Sequence, residues 1–334
     1  MVLDLSDWQP LAWTGELFAD FQPYVPAVDD AGSVVFQAAL RGGGSGVFLA
    51  RDGRIEALLE AEAGESVISH PDCNARGDMC VYLARDDGSS ALVAVKAGQR
   101  ITLADSRDGV FAAIGPLGPV MDAAGSVAFR ATLADGSAAV CAWSHGVLRV
   151  LARTGDGFSG FHGLPVIAGA AGVVFRADRC DRVQGVYRVV EGAVTAVLER
   201  AADDGLVALF PTVNAQAEVA CGWVDAAGEG HLFRVADGRE ALAVDAGVLR
   251  FQSLRGCLLD EDGELFFTGT PRGGRLGVYR VTPEGVRCLL EEGAVMAGAR
   301  VQGFALNPVS IGASGRIAAR MLLDDGRQLI ASLG

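Results

Sequence analysis

The chain has 334 residues, half of them hydrophobic, with 45 glycines and 28 basic against 41 acidic side chains, a formal net charge of −13. The apolar content excludes global disorder. The acidic balance argues against nucleic acid or an anionic membrane as partner, because phosphate recognition runs on clustered Lys and Arg.

The first ten residues lack a basic start, an apolar core and a small-residue cleavage site, and no run of 18 apolar residues follows. The expectation is a cytoplasmic protein with neither signal peptide nor membrane span. Seven cysteines, scattered and without a Cys-x-x-Cys pair, read as buried structural thiols in a reducing compartment rather than as disulfides or a zinc site.

In chain order, a short pattern recurs: Asn or Asp, two residues, Gly, two residues, then a small or apolar pair. It runs from Asp29-Asp30-Ala31-Gly32 through Asn74-Ala75-Arg76-Gly77, Asp122-Ala123-Ala124-Gly125, a shorter copy at Gly172, a copy with Ala217 for Gly, and Asp260-Glu261-Asp262-Gly263 to Gly312-Ala313-Ser314-Gly315. The Gly-equivalent positions 32, 77, 125, 172, 217, 263 and 315 lie 45, 48, 47, 45, 46 and 52 residues apart. The Asx side chain is expected to bond a main-chain N–H two residues on, and Gly to supply the positive φ that closes a hairpin. In the first copy, β-rich runs at 33–40, 47–49 and 55–59 are separated by Gly-containing turns.

Four short antiparallel strands per 45–52 residues, repeated seven times, predict an all-β chain: one seven-bladed β-propeller spanning residues 1–334. Pro26, Pro71, Pro119 and Pro211 each stand three residues before the Asx position, which suits an inner edge strand that donates no ladder bond. The last copy holds strands around 309–311, 317–323 and 329–333 and lacks a fourth. Leu11-Ala12-Trp13-Thr14-Gly15, with Phe18 and Phe21, matches Leu151-Ala152-Arg153-Thr154-Gly155, with Phe158 and Phe161. Residues 8–14 are therefore expected to be the outer strand of the last blade, closing the ring, and the phenylalanine pairs to pack between blades.

The Asn-x-x-Gly-x-x-Ala/Val-Phe copies resemble the tandem repeats of bacterial "choice-of-anchor" NxxGxxxF proteins over nearly the whole chain. Those resemble surface or secreted proteins with a sorting signal and an anchor, and this sequence shows neither. The resemblance implies repeat architecture and brings no catalytic residue.

In such a blade the Asx turns lie on one face, and the connectors between blades share the opposite face with the second-to-third-strand loops. Functional residues are expected on that connector face, where the inner strands carry non-repeating polar residues: Gln22, Tyr24, His70, His162, Gln252, Arg255, Gln302 and Asn307. Gly115, Leu117, Leu209 and Leu306 at equivalent places read as filler. His162 and His70 are the candidate acid–base pair, with Arg255 entering across the ring to fix an anion. Tyr24, Gln22, Asn307 and Gln252 are the candidate binding groups. Arg179 and Arg182, and Arg272 and Arg275, read either as anion clamps or as solvated loop charge. No metal-binding, phosphate-cradling or nucleophile-elbow motif is present, so no cofactor or metal is implied. Two functions remain open: a module binding a small molecule or protein partner at the channel face, or a lyase, cyclase, isomerase or hydrolase with a histidine base there. The sequence leaves the oligomeric state open.

Overall fold

Seven antiparallel sheets follow one another along the chain, the first six with their strands in sequence order from the inside outward and the seventh taking its outermost strand from the N-terminus. The computed structural model describes residues 5–29, 31–236, 239–244 and 251–334, so Asp30 of the first Asx turn lies outside the described residues. The first sheet shows the pattern: an inner strand in two pieces, Phe18–Asp20 and Ala27–Val28, then Val34–Leu40, Ser45–Arg51 and Arg54–Glu60. The only helical elements among the described residues are short 3-10 turns. The chain is a seven-bladed β-propeller.

The Asx turns are three-residue hairpin loops. Residue i pairs with i+4 through the main chain, as in the Asp29 N–H to Ser33 carbonyl bond at 3.0 Å, and Gly32 closes the loop at φ 81°. The Asx oxygen reaches the N–H four residues on rather than two. Asp29 accepts from Ser33 at 2.7 Å, Asp122 from Ser126 at 2.8 Å and Asp260 from Glu264 at 2.7 Å. Asn74 accepts from both the second and the fourth N–H, on Arg76 and Asp78. Ala217, where the Gly is lost, still sits at φ 64°.

Ring closure follows the repeat. Trp8–Trp13 pairs antiparallel with Gln328–Leu333, Trp8 opposite Leu333 and Trp13 opposite Leu329, as the outermost strand of the seventh sheet. The inner strand of that sheet is Ala299–Ala305 rather than residues 309–311. There Asn307 caps a 3-10 turn, Pro308–Ser310, and Ile311 makes only an isolated bridge to Ile317. Proline just inside the cap favours the turn over a continued strand.

Blades are joined by apolar and polar contacts. Phe18 and Phe21, 5.4 Å apart, pack with Phe36 and Phe48 against Ala318 and Ile330 of the seventh blade. Phe158 and Phe161, also 5.4 Å apart, pack against Ala128 and Val140 of the third. Residues at the start of four third strands reach into the next blade: Ser45 Oγ accepts from Val67 N–H, Ser90 Oγ from Ile114 N–H, Gln184 Oε1 from Val207 N–H and Gln328 Oε1 from Phe21 N–H, at 2.8–3.1 Å. Five of the seven cysteines are buried, Cys288 is half-buried and Cys180 is exposed. Among the described residues no helix is long and apolar enough to cross a membrane.

Candidate functional site

The inner strands decide where a cavity can form. In blades 1, 2, 3 and 5 the ladder breaks off, the chain bulges toward the axis, and pairing resumes just after Pro26, Pro71, Pro119 or Pro211. A proline there costs no ladder bond, and the freed backbone aims side chains at the channel. In blades 4 and 6 the inner strand is a single element, Phe158–Ile167 and Phe251–Leu259, with a shift of register after His162 and after Leu254.

These bulges and the second strands behind them enclose a connector-face cavity of about 730 Å³. Pro23, Tyr24 and Val25 come from blade 1, Ile68 and His70 from blade 2, Gly115, Pro116 and Leu117 from blade 3, Phe210 from blade 5, and Leu306 and Asn307 from blade 7, with Tyr82 and Thr132 behind. Among the described residues no Asp, Glu, Lys or Arg lines it, a notable lining in a chain of net charge −13. Its size suits a small-molecule ligand.

Tyr24, His70 and Asn307, singled out as polar exceptions, thus meet in one cavity. Gly115, Leu117 and Leu306 are not mere filler, since they line it too. Leu117 sits at φ 74° with its side chain partly exposed, a strained backbone for a bulky residue and one that accumulates at functional sites. Leu17, Val110, Leu206, Leu209 and Val295, in the connectors between blades and the segments just after them, are exposed as well.

His70 is fully enclosed. Asn307 fixes its tautomer: the Asn307 Oδ1 accepts from Val309 N–H at 3.0 Å, which turns the amide Nδ2 toward His70 Nδ1 at 3.5 Å. Nδ1 is then the acceptor and Nε2 carries the proton. Ser310 Oγ, accepting from Asn307 N–H and donating to the Pro26 carbonyl at 2.7 Å, ties this corner to blade 1. Gly118 leaves room for the ring, as a Cβ there would stand 2.4 Å from Nε2. Burial pushes the imidazole pKa down from 6.5 to about 3, so His70 is neutral at ordinary pH and serves as a hydrogen-bonding group rather than as a base. Neither His70 Nε2 nor the Tyr82 hydroxyl has a hydrogen-bond partner among the described residues, although both residues are buried.

The other candidates lie elsewhere. Arg255 lines a separate pocket of about 120 Å³ between blades 6 and 7, which shares Phe210, Leu306 and Asn307 with the main cavity. His162 lines neither. Its Nε2 lies 2.8 Å from Asp178 Oδ2, and Asp178 also bonds the buried Arg176, beside a cleft of about 360 Å³ between blades 4 and 5. His162 and Gln22 occupy matching places just after Phe161 and Phe21, and both turn outward because the phenylalanines before them take the core. Gln22 is exposed, with its N–H on Asp20, and Gln252 is exposed as well. The loop arginines are locally engaged: Arg179 with Asp181 and Glu199, Arg182 with Asp203, Arg272 with Glu229, and Arg275 with the Glu292 carbonyl. Those pairs fit solvated loop charge rather than a clamp.

Sequence reading missed Tyr82, Phe210 and Pro116. Tyr82 stands at a second-strand position that carries Arg130, Arg176 and Arg320 in blades 3, 4 and 7, where Phe-flanked strands read as core. Arg130 reaches the Gly163 carbonyl at 3.3 Å and Arg320 the Tyr24 carbonyl at 2.9 Å, each in the following blade. That recurring polar position was the signal available.

The turn face has its own opening of about 300 Å³, lined by inner-strand ends from all seven blades, including Asp72, Asp122 and Asp260. Those carboxylates accept main-chain N–H groups from Met121 and Cys73, Ser126, and Glu264 respectively, so they hold turns and the next blade in place.

The class is that of the β-propellers. No protein-family model matches the chain, and no curated protein matches it in sequence. Among solved structures it is similar to an oligogalacturonate lyase from Vibrio parahaemolyticus, with a TM-score of 0.61 at 10% identity over 97% of each chain. It is also similar to a chain of the mitotic checkpoint complex, with a TM-score of 0.53 at 13% identity over 99% of this chain and 96% of that one. A prolyl endopeptidase aligns with a TM-score of 0.59 at 13% identity over 92% of this chain, which spans 47% of that enzyme. At such identities the likeness is one of fold.

Proposed function

We propose that this propeller is a binding protein that seats a small molecule in the connector-face cavity formed by the inner-strand bulges of blades 1, 2, 3, 5 and 7. One observation carries the reading. Three polar side chains that break the repeat, Tyr24, His70 and Asn307, converge there in an otherwise largely apolar wall, whereas the carboxylates around the turn-face opening are committed to main-chain N–H groups. Binding is favoured over the enzyme alternative because the histidine inside the cavity is held neutral by burial, while His162, paired with Asp178, lies outside it.

The test is a thermal-shift screen of small-molecule metabolites on the wild type and on Leu306→Trp, which projects a bulkier ring into the cavity. The expected result is a compound that raises the melting temperature of the wild type and leaves the variant unmoved. Equal shifts in both proteins would place the site elsewhere.

A further inference from the structure

Charge around the cavity narrows what it takes. Resting on the binding reading above, we propose that its ligand is a carboxylate with an apolar, ring-bearing body. The body fills the chamber between the bulges, and the carboxylate lies at the rim toward blade 6, paired with the Arg255 guanidinium.

Arg255 differs from the arginines of the loops. Arg179, Arg182 and Arg272 each face carboxylates, and Arg275 bonds the Glu292 carbonyl. Arg255 is exposed and, among the described residues, makes no hydrogen bond and no ion pair. It stands on the inner strand Phe251–Leu259, just after the register shift at Leu254. The side pocket it lines shares Phe210, Ala305, Leu306 and Asn307 with the main cavity. A free guanidinium at that seam offers a carboxylate two parallel donors.

The walls act in the same sense. Behind Pro23 and Tyr24, the half-buried Arg320 bonds the carbonyls of both. Behind the bulge of blade 3, the half-buried Arg130 holds the Gly115 N–H with its own carbonyl and donates its guanidinium to the Gly163 carbonyl. Neither cation makes an ion pair among the described residues. Desolvation lowers the pKa of both, yet a guanidinium keeps its charge. Asp20, whose field reaches Arg320, accepts the Gln22 N–H, and Asp72 lines the opening on the other face. The connector-face cavity is thus a place of positive potential in a chain of net charge −13, and such a place draws anions that the rest of the surface repels.

The lining decides how the anion is oriented. A charge inside the chamber would lose its water without a counter-charge in the wall, which is expensive. Pro23, Pro116, Leu117 and Phe210 instead suit the apolar body, and the exposed Arg255 meets the charge where water still reaches it. Tyr24 lines the same chamber, and burial raises its phenol pKa, so it keeps its proton as a donor.

The experiment uses three probes of similar shape on the intact chain: 2-naphthoate, the neutral 2-acetylnaphthalene and the cationic 2-naphthylmethylammonium. Affinities come from titrations read on the methyl signals of Ile68 and Ile114, both in the cavity wall. The wild type is expected to bind the carboxylate about tenfold tighter than the ketone and the cation weakest, against the net charge of the chain. Added KCl should weaken the carboxylate and leave the ketone in place. Arg255→Gln should bring the carboxylate-to-ketone ratio toward one, Arg255→Lys should keep part of the preference, and melting temperatures check that both variants fold. A carboxylate bound no tighter than the ketone, tightest binding of the cation, or a preference that survives Arg255→Gln overturns the proposed ligand class and leaves the cavity as a binding site. If no probe moves Ile68 or Ile114, both this inference and the binding reading fail.

Discussion

Thr14 and Gln328, 314 residues apart in sequence, exchange two hydrogen bonds: Thr14 N–H donates to the Gln328 carbonyl at 3.0 Å, and Gln328 N–H donates to Thr14 Oγ1 at 3.0 Å. Thr154 and Ala138 make the same exchange within the third blade. The N-terminal strand therefore docks on the last blade by the geometry that an ordinary outer strand uses on its neighbour. Gln328 also accepts the Phe21 N–H with its side chain, which couples the closing strand pair to blade 1.

Thr14→Val should cost about 1 kcal/mol, the ordinary net value of one such bond, and should be read as a lowered denaturation midpoint with an unchanged slope. Deleting residues 1–16 should do far more, because it bares the edge of Gln328–Leu333, whose residues are mostly buried. A truncated protein with an unaltered melting temperature would contradict the closure.

Ala217 offers the opposite change. It holds a left-handed φ of 64° where the other copies place glycine at 76–82°. Ala217→Gly should stabilise the protein by about 1 kcal/mol, since relief of Cβ strain outweighs the added freedom of the unfolded chain. Chemical denaturation measures it, and a loss of stability would show that the turn does not constrain that residue.

Blade number, strand order and closure were legible because they rest on repeated chemistry: an Asx oxygen, a positive-φ glycine and a Thr-Gly corner recur at near-constant spacing. The cavity was legible only where a polar residue broke the repeat, at Tyr24, His70 and Asn307. Its apolar walls were not, because each bulge has its own length and sequence, and nothing in Leu117 or Phe210 distinguishes a channel wall from a core position. His162 misled for a related reason. It breaks the repeat as His70 does, yet the pleat turns it toward Asp178 and the outside.

The burial of His70 has a pH signature. Its pKa falls from 6.5 in the unfolded chain to about 3 in the folded one, so the unfolded state binds the extra proton. The stability that a neutral His70 allows is complete above pH 6.5 and is lost progressively toward pH 3. Between pH 7 and 4.5 the wild type should lose roughly 2–3 kcal/mol more than His70→Asn, measured by urea unfolding at each pH. Identical acid limbs would show that the imidazole is not enclosed.

Arg320 spans the seam between blades 7 and 1, donating from Nε to the Tyr24 carbonyl at 2.9 Å and from Nη2 to the Pro23 carbonyl at 3.4 Å. Arg320→Ala should cost about 2–3 kcal/mol for the lost charge-assisted bonds and should release the bulge that carries Tyr24. Probe affinity at the cavity should fall together with the melting temperature. His162→Gln, which puts at this place the residue found after Phe21, should leave probe affinity unchanged because His162 lines neither the cavity nor its side pocket.

The central claim is that the connector-face cavity, and not the turn-face opening, is the binding site. Methyl-labelled isoleucines report on both: Ile68 and Ile114 line the cavity, and Ile167 and Ile311 line the opening on the other face. Titration with a bound small molecule, followed by methyl spectra, should shift Ile68 and Ile114 while Ile167 and Ile311 stay in place. Shifts confined to Ile167 and Ile311 would contradict the account.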